Sequence, residues 1–235
     1  MDLFEKAALL DRIYKIYDEF SGNLDVACKK HCAHCCTCNV TMTTLEGYKI
    51  VEYIMRSEHC DLNNRLNNRL NDRLKQNLSK KRFQPQITTN RLAELFALGM
   101  DVPDEDNNFL WGNCPLLTDD ECPVYPVRPF GCRCFFSKQD CREQGSADVD
   151  PFVITVNNVF LQYIEHIDSH GYLGNLTDIL LFLEPKNIRQ AYRTNTIKNP
   201  DNSLVSNSMI KFLLIPPEDR NRIVPILEKL GSIKV

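Results

Sequence analysis

Residues 114–134 read CPLLTDDECPVYPVRPFGCRC, and they decide how the rest of the chain is interpreted. This segment holds four cysteines and four prolines, and it shows neither the 3.6-residue period of a helix nor the two-residue period of a strand. A long segment without regular structure needs another source of order. The clustered cysteines indicate that metal ligation supplies it.

A second cysteine-rich segment lies closer to the N-terminus. Residues 28–38 read CKKHCAHCCTC, with five cysteines among eleven residues. The two-residue spacing between Cys32 and Cys35 lets two thiolates reach one metal from a tight turn. Because crowded free thiols are prone to oxidation, we expect the two segments to share a site. The side chains of adjacent Cys35 and Cys36 point in divergent directions, which favours two sites or one spare thiol.

The composition is that of an ordinary globular protein. Of 235 residues, 43% are hydrophobic and 25% charged, which suits one hydrophobic core. The net charge of -3 gives no support for nucleic acid as a partner. Residues 1–20 lack the apolar stretch of a signal peptide, and no run is long enough for a membrane span. We therefore expect a cytoplasmic protein without a membrane partner, where reducing conditions favour metal ligands over disulfides.

The remaining sequence predicts a mostly α protein. Thr43 and Glu46 form the pattern of a capping box, and Asp150-Pro151 that of an N-cap followed by proline at the first helical position. We expect a single helical domain with long irregular cysteine-rich metal-binding loops. Its parts are a cysteine-cluster region over 1–150 and a C-terminal helical region over 151–235, packed on the same core. Helices are predicted at residues 3–20, 44–58, 89–98, 151–169, 176–183, 186–193 and 217–230.

Residues 61–78 contain a four-residue repeat, LNNR, LNNR, LNDR and LKQN, which begins at Leu62. A leucine row with this period winds slowly around an α-helix. Two interpretations stay open for the predicted 61–78 helix. It is either a solvated helix docked lightly on the core, or a helix that binds a protein partner or contacts nucleic acid through its arginines.

The cysteine pattern resembles that of a known family. The resemblance is carried by the run from Cys28 to Cys36 and by Cys114-Pro115, Cys122, Tyr125, Arg128-Pro129 and Cys132-Arg133. It covers about residues 28–136 and points to the CxxCxxCC, or YkgJ-type, cysteine-cluster family, described as zinc- or iron-chelating. Flagellin lysine N-methylases contain a similar pattern, and that resemblance implies a [4Fe-4S] cluster. The metal ligands implied by the family positions are Cys28, Cys32, Cys35, Cys36, Cys114, Cys122 and Cys132.

Seven candidate ligands exceed one four-ligand site, so either two sites exist or some thiols are spare. Arg128 and Arg133 are candidate cofactor-binding residues, because guanidinium groups beside thiolates offset charge and donate hydrogen bonds to sulfur. The alternative is that both are ordinary surface arginines.

We expect a metal-binding protein that holds an iron-sulfur cluster, or zinc, for electron transfer, sensing or metal delivery. Two alternatives stay open. One is an iron-sulfur-dependent methyltransferase using S-adenosylmethionine, which only the resemblance implies, and the other is a zinc-stabilised interaction module. The sequence assigns no catalytic residue.

Overall fold

The fold is built mainly of helices, as the sequence predicts. A computed structural model describes residues 1–29, 32–56, 71–78, 80–103, 112–198 and 204–233. The helices in these ranges are α1 (Leu3–Ser21), α2 (Thr44–Arg56), α3 (helical at 71–78), α4 (Thr89–Ala97), α5 (Phe130–Arg133), α6 (Cys141–Gln144), α7 (Pro151–Ile167), α8 (Leu176–Leu183), α9 (Lys186–Arg193) and α10 (Arg220–Gly231). None of them is both long and apolar enough to span a membrane. Residues 61–70 of the predicted 61–78 helix lie outside the described ranges.

Polar side chains at the helix starts fix where the longer helices begin. The N–H of Thr43 donates to the Glu46 carboxylate at 2.8 Å, and the N–H of Glu46 donates to the Thr43 hydroxyl at 3.4 Å. This is the capping box that the sequence predicts for α2. At α7 the Asp150 side chain accepts from the N–H of Phe152 at 2.9 Å, with proline at the first helical position.

A small antiparallel sheet, which the sequence analysis did not predict, joins distant parts of the chain. Its strands are β1 (Thr41–Thr43), β2 (Tyr172–Asn175) and β3 (Val205–Ser206), with β2 in the centre. The Asn175 amide donates to the carbonyls of Cys38 at 2.7 Å and Phe83 at 3.0 Å. The sheet therefore holds the end of the first cysteine segment against the C-terminal half of the chain.

The hydrophobic core contains side chains from both regions that the sequence analysis distinguished. Phe130, from the second cysteine segment, is fully buried between α1 and α7. Its ring stacks on Phe160 with centroids 5.7 Å apart and meets Tyr17 edge-on at 4.7 Å. The cysteine segment is thus anchored in the helical core by one aromatic side chain. The boundary at residue 150 stays a prediction.

Glu165 is a carboxylate buried within the core. It accepts hydrogen bonds from the N–H groups of Thr89 and Asn90, each at 2.8 Å, and so caps α4 from the side of α7. Burial is the main reason that its pKa is raised to about 7, against the opposing effect of these hydrogen bonds. The folded chain therefore holds the Glu165 proton more tightly than the unfolded chain does.

This raised pKa gives a prediction about the pH dependence of stability. Because the folded state binds the proton more tightly, the contribution of Glu165 to stability is greatest at low pH and falls as pH rises toward about 7. Glu165→Gln does not ionise, so its free energy of unfolding should rise relative to the wild type by up to about 3 kcal/mol between about pH 5 and pH 8. Urea unfolding at both pH values, with exposed Glu143→Gln as the control, measures the difference. A difference that does not change with pH would contradict the prediction.

Candidate metal centre

The two cysteine segments lie side by side through backbone hydrogen bonds. The N–H of Cys114 donates to the carbonyl of Cys36 at 2.8 Å, and the N–H of Cys38 donates to the carbonyl of Gly112 at 2.9 Å. Between them, Thr37 and Asn113 form an isolated antiparallel bridge. The segments therefore meet, as the sequence analysis expected. No disulfide joins any of the described cysteines.

Four thiols from the two segments form one group, called here the inner cysteine group. Its members are Cys36, Cys114, Cys122 and Cys132. Every pair among them is close enough for the charges of their thiolates to interact. All four side chains are partly buried. The group combines one cysteine from the first segment with three from the second.

Two members of the inner cysteine group sit at the start of matching turns. The carbonyl of Cys114 accepts from the N–H of Leu117 at 3.1 Å, and that of Cys122 accepts from the N–H of Tyr125 at 3.1 Å. Within these Cys-Pro turns the thiol of Cys114 receives a backbone hydrogen bond from Leu116, and that of Cys122 receives one from Val124. Backbone donors aimed at sulfur stabilise a thiolate, which is the form that binds metal.

Burial also controls the charge of these thiols. Burial is the main reason that the pKa of Cys114 is raised to about 11 and that the pKa of Cys132 is raised well above its ordinary value. Neighbouring thiolates raise both pKa values further. For Cys36 the pKa is lowered instead, mainly by a hydrogen bond from the Cys35 thiol. A bound cation would offset this mutual repulsion, so metal binding by the group should release protons.

Arg128 lies close enough to the inner cysteine group for its charge to act on two of the thiols, and it has an unused donor. Its Nε is buried and has no hydrogen-bond partner among the described residues. The guanidinium lies over the Tyr125 ring, 4.1 Å from the centroid. Burial raises the pKa values of Cys122 and Cys132, and the positive charge of Arg128 acts in the opposite direction on both. An unpaired buried N–H is costly, so a sulfur acceptor in the group would satisfy it.

Arg133, the other candidate, has a different environment. It donates to the carbonyls of Arg128 and Pro126, each at 3.1 Å, and its guanidinium lies 4.3 Å from the centroid of the Tyr14 ring. These contacts hold the backbone at Pro126 and Arg128 beside α1. The donors of Arg133 therefore bind backbone carbonyls of the same segment, whereas the Nε donor of Arg128 has no partner among the described residues.

Glu46 is a positioning residue that the sequence analysis saw only as part of a capping box. One carboxylate oxygen accepts from the N–H of Phe130 and from the Tyr14 hydroxyl, both at 2.7 Å. The other oxygen caps α2 through Thr43. One buried carboxylate thus ties α1, α2 and the start of α5, which carries Cys132. No sequence pattern marks this contact, because it joins residues far apart in the chain.

Replacing this carboxylate should loosen the cysteine segment. Glu46→Gln keeps one acceptor oxygen but turns an amide NH₂ toward a buried N–H donor, so we expect a loss of about 2–4 kcal/mol in the free energy of unfolding. Urea unfolding followed by circular dichroism measures it, with exposed Glu143→Gln as the matched control. Equal stabilities for the two variants would show that the Glu46 contacts do not hold the segment.

The remaining predicted ligands lie outside the inner cysteine group. Cys28 lies close enough to Cys32, Cys35 and Cys141 for their charges to interact, and the sequence analysis left Cys141 unassigned. Cys38 is buried, and its sulfur lies 3.6 Å from the Asn39 side-chain oxygen and 4.0 Å from the Lys81 carbonyl. Of the seven predicted ligands, the structure therefore brings four together in the inner cysteine group, and the thiol of Cys35 is linked to that group by its hydrogen bond to Cys36.

The described thiols do not converge on the positions that a single ion requires. Among the described residues, no three Cys, His, Asp or Glu side chains are placed to hold one metal ion as they stand. Comparisons with protein-family models, with curated proteins and with solved structures find no match to this chain.

Proposed function

We propose that the chain is a metal-binding protein in which the inner cysteine group holds one iron-sulfur cluster, with zinc as the alternative metal. The observation that carries the proposal is the mutual proximity of Cys36, Cys114, Cys122 and Cys132, drawn from two segments far apart in sequence. Four thiolates are the ligand set of a [4Fe-4S] cluster and of a structural zinc site. The turn N–H groups donate hydrogen bonds to the thiols of Cys114 and Cys122, and the unpaired Nε of Arg128 is a further donor near the group.

The resemblance of the cysteine pattern to that of flagellin lysine N-methylases favours the cluster over the single ion. Around one Zn²⁺, with bonds of about 2.3 Å, tetrahedral thiolates lie within about 4 Å of one another. A four-iron cluster binds one thiolate at each iron and so holds the thiolates farther apart. The two centres therefore require different sulfur–sulfur distances. When bound, such a cluster supplies one-electron redox chemistry.

The surroundings of the group suit a role in electron transfer, redox sensing or metal delivery. The four thiols are only partly buried, so a partner or an oxidant can approach the centre from solvent. Arg128 places positive charge beside the cluster, which favours its more reduced state. Phe130 and Glu46 hold the Cys132 helix from the core side, so the ligands stay in place when the charge of the cluster changes.

Anaerobic purification tests this proposal. We expect about four iron and four acid-labile sulfide per chain for a [4Fe-4S] cluster, with visible absorption that dithionite bleaches. Cys38→Ala should retain both iron and sulfide, because Cys38 lies outside the group. One zinc per chain without iron would support zinc as the metal in place of the cluster. A chain that binds neither metal would contradict the proposal.

A further inference from the structure

The segment from Ser208 to Leu214, called here the strap, is held by side chains of two helices. From α4, the Asn90 amide donates to the carbonyl of Ser208 at 2.8 Å. From α7, the Gln162 amide donates to the carbonyl of Phe212 at 2.7 Å, and its carbonyl oxygen accepts from the N–H of Leu214 at 2.7 Å. Side-chain amides do not titrate near neutral pH, so both of these anchors are insensitive to mild acid.

The middle of the strap depends on a titratable side chain. Between the two anchors, the N–H of Ile210 donates to Nδ1 of His166 at 3.2 Å. A ring nitrogen accepts a hydrogen bond only when it carries no proton, so this contact requires a neutral His166 with its proton on Nε2. In the imidazolium form both ring nitrogens are donors, and the Nδ1–H would face the N–H of Ile210.

The surroundings of His166 favour the neutral ring while the strap is held. Burial lowers the pKa of His166 below its ordinary value. The residue lies in the last turn of α7, where the helix favours a positive charge, so a ring that becomes hydrated there binds a proton readily. The released form therefore binds the proton more tightly than the held form, and acid favours release.

The other titratable groups on the adjoining segments do not reproduce this response. They are Arg91 and Glu94 on α4, Glu165 and Asp168 at the end of α7, His170 after it, and Lys211 on the strap. Burial lowers the pKa of His166 without a contribution from any of them. Lys211 donates to Glu94 at 2.8 Å and lowers the pKa of that carboxyl, so their pair stays charged in mild acid. Glu165 responds in the opposite sense, because acid favours its buried form.

We propose that His166 is a pH-sensitive switch, which holds the middle of the strap at neutral pH and releases residues 209–211 in mild acid. Protonation of Nδ1 removes the acceptor of the Ile210 N–H, while the anchors at Asn90 and Gln162 stay in place. Release frees the half-buried Ile210 side chain beside Met209, which is already 63% exposed. Acid therefore increases the apolar surface on this face of the molecule. The proposal is independent of the metal in the inner cysteine group.

Hydrogen exchange of the full-length chain, followed by NMR at pH 7.5 and pH 5.5, tests the proposal. Release coupled to the binding of one proton changes the opening equilibrium by at most tenfold per pH unit. Because the ordinary pKa of histidine is about 6.5, the protection factor of the Ile210 amide should fall by up to about tenfold between these pH values. The Leu214 amide, whose acceptor is Gln162, should keep its protection and serves as the internal comparison.

Two variants assign the response to one histidine. His166→Asn places a side-chain oxygen that does not titrate near the position of Nδ1, so its Ile210 protection factor should not change with pH. His170→Asn changes an exposed histidine and should behave as the wild type does. Both variants keep Glu165 and every cysteine, so the effects of acid on those groups are common to all three chains.

Three results of the exchange experiment would overturn the proposal. They are a wild-type Ile210 protection factor that does not change with pH, an equal fall at Leu214, and the same fall in His166→Asn. Should His166→Asn not fold, the ring of the wild type gives the answer by NMR. We expect the Nε2–H tautomer at pH 7.5 and a pKa below about 6.5. An Nδ1–H tautomer, or a pKa at or above that value, would equally overturn the switch.

Discussion

Cys132→Ser is expected to lose nearly all of the metal centre while the helical core stays folded. Cys132, on α5, interacts with the thiols of both Cys114 and Cys122. A hydroxyl is a poor ligand for iron or zinc, so the bound metal should fall at least about tenfold after anaerobic reconstitution. Metal per chain is measured by elemental analysis, and folding by circular dichroism.

The control for this variant comes from the same chain. Cys38→Ala changes a buried cysteine that is not a member of the inner cysteine group, although its charge acts on Cys114, and it should bind metal as the wild type does. If Cys132→Ser retains the full metal content, Cys132 is not a ligand and the inner cysteine group is wrongly assigned. If Cys38→Ala alone loses metal, the same conclusion follows.

Phe130→Ala is expected to cost about 3–5 kcal/mol in the free energy of unfolding. The ring is fully buried and contacts both Phe160 and Tyr17, so truncation leaves a cavity between α1 and α7. Because Phe130 lies two residues before Cys132, the lost packing should also weaken metal retention. Urea unfolding of the purified chain measures the stability, and metal analysis after dialysis measures the retention.

Two comparisons make the Phe130 result interpretable. Phe135→Ala removes a ring that is half exposed and should change stability much less. Phe130→Leu fills part of the cavity and should fall between the wild type and Phe130→Ala. A Phe130→Ala variant as stable as Phe135→Ala would mean that the cysteine segment is not anchored through this ring.

The helices were predictable because their signals are local. The capping box of Thr43 and Glu46 and the Asp150-Pro151 start each depend on residues within one turn, and both are present in the structure. The apolar spacing that predicted a helix over 3–20 corresponds to α1, whose buried face includes Leu10 and Tyr17. In these helices the capping residues and the buried apolar side chains favour the same helical conformation.

The small sheet and the short helices were not predictable for a physical reason. Strand β1 has three residues, too few to show a two-residue period, and its partner β2 lies more than a hundred residues later in the chain. The four-residue helices α5 and α6 are likewise too short for a 3.6-residue pattern. Their conformations depend on contacts such as Glu46 with Phe130, which only the folded chain creates.

The grouping of the thiols was only partly accessible from the sequence. The adjacency of Cys35 and Cys36 favoured two sites or one spare thiol; in the structure the Cys35 thiol donates a hydrogen bond to Cys36, and the choice between these alternatives stays a prediction. The proximity of Cys141 to Cys28 depends on a backbone hydrogen bond between Ala27 and Ser137, which no local sequence pattern marks. The different environments of Arg128 and Arg133 are likewise set by tertiary contacts.

X-ray absorption spectroscopy of the anaerobically purified chain tests most directly whether both cysteine segments hold the same centre. The variants Cys36→Ser and Cys122→Ser remove one ligand from each segment. We expect an all-sulfur ligand shell in the wild type, and the same loss of sulfur ligation or of metal in both variants. A shell dominated by nitrogen or oxygen, or a wild-type spectrum in either variant, would contradict a shared centre.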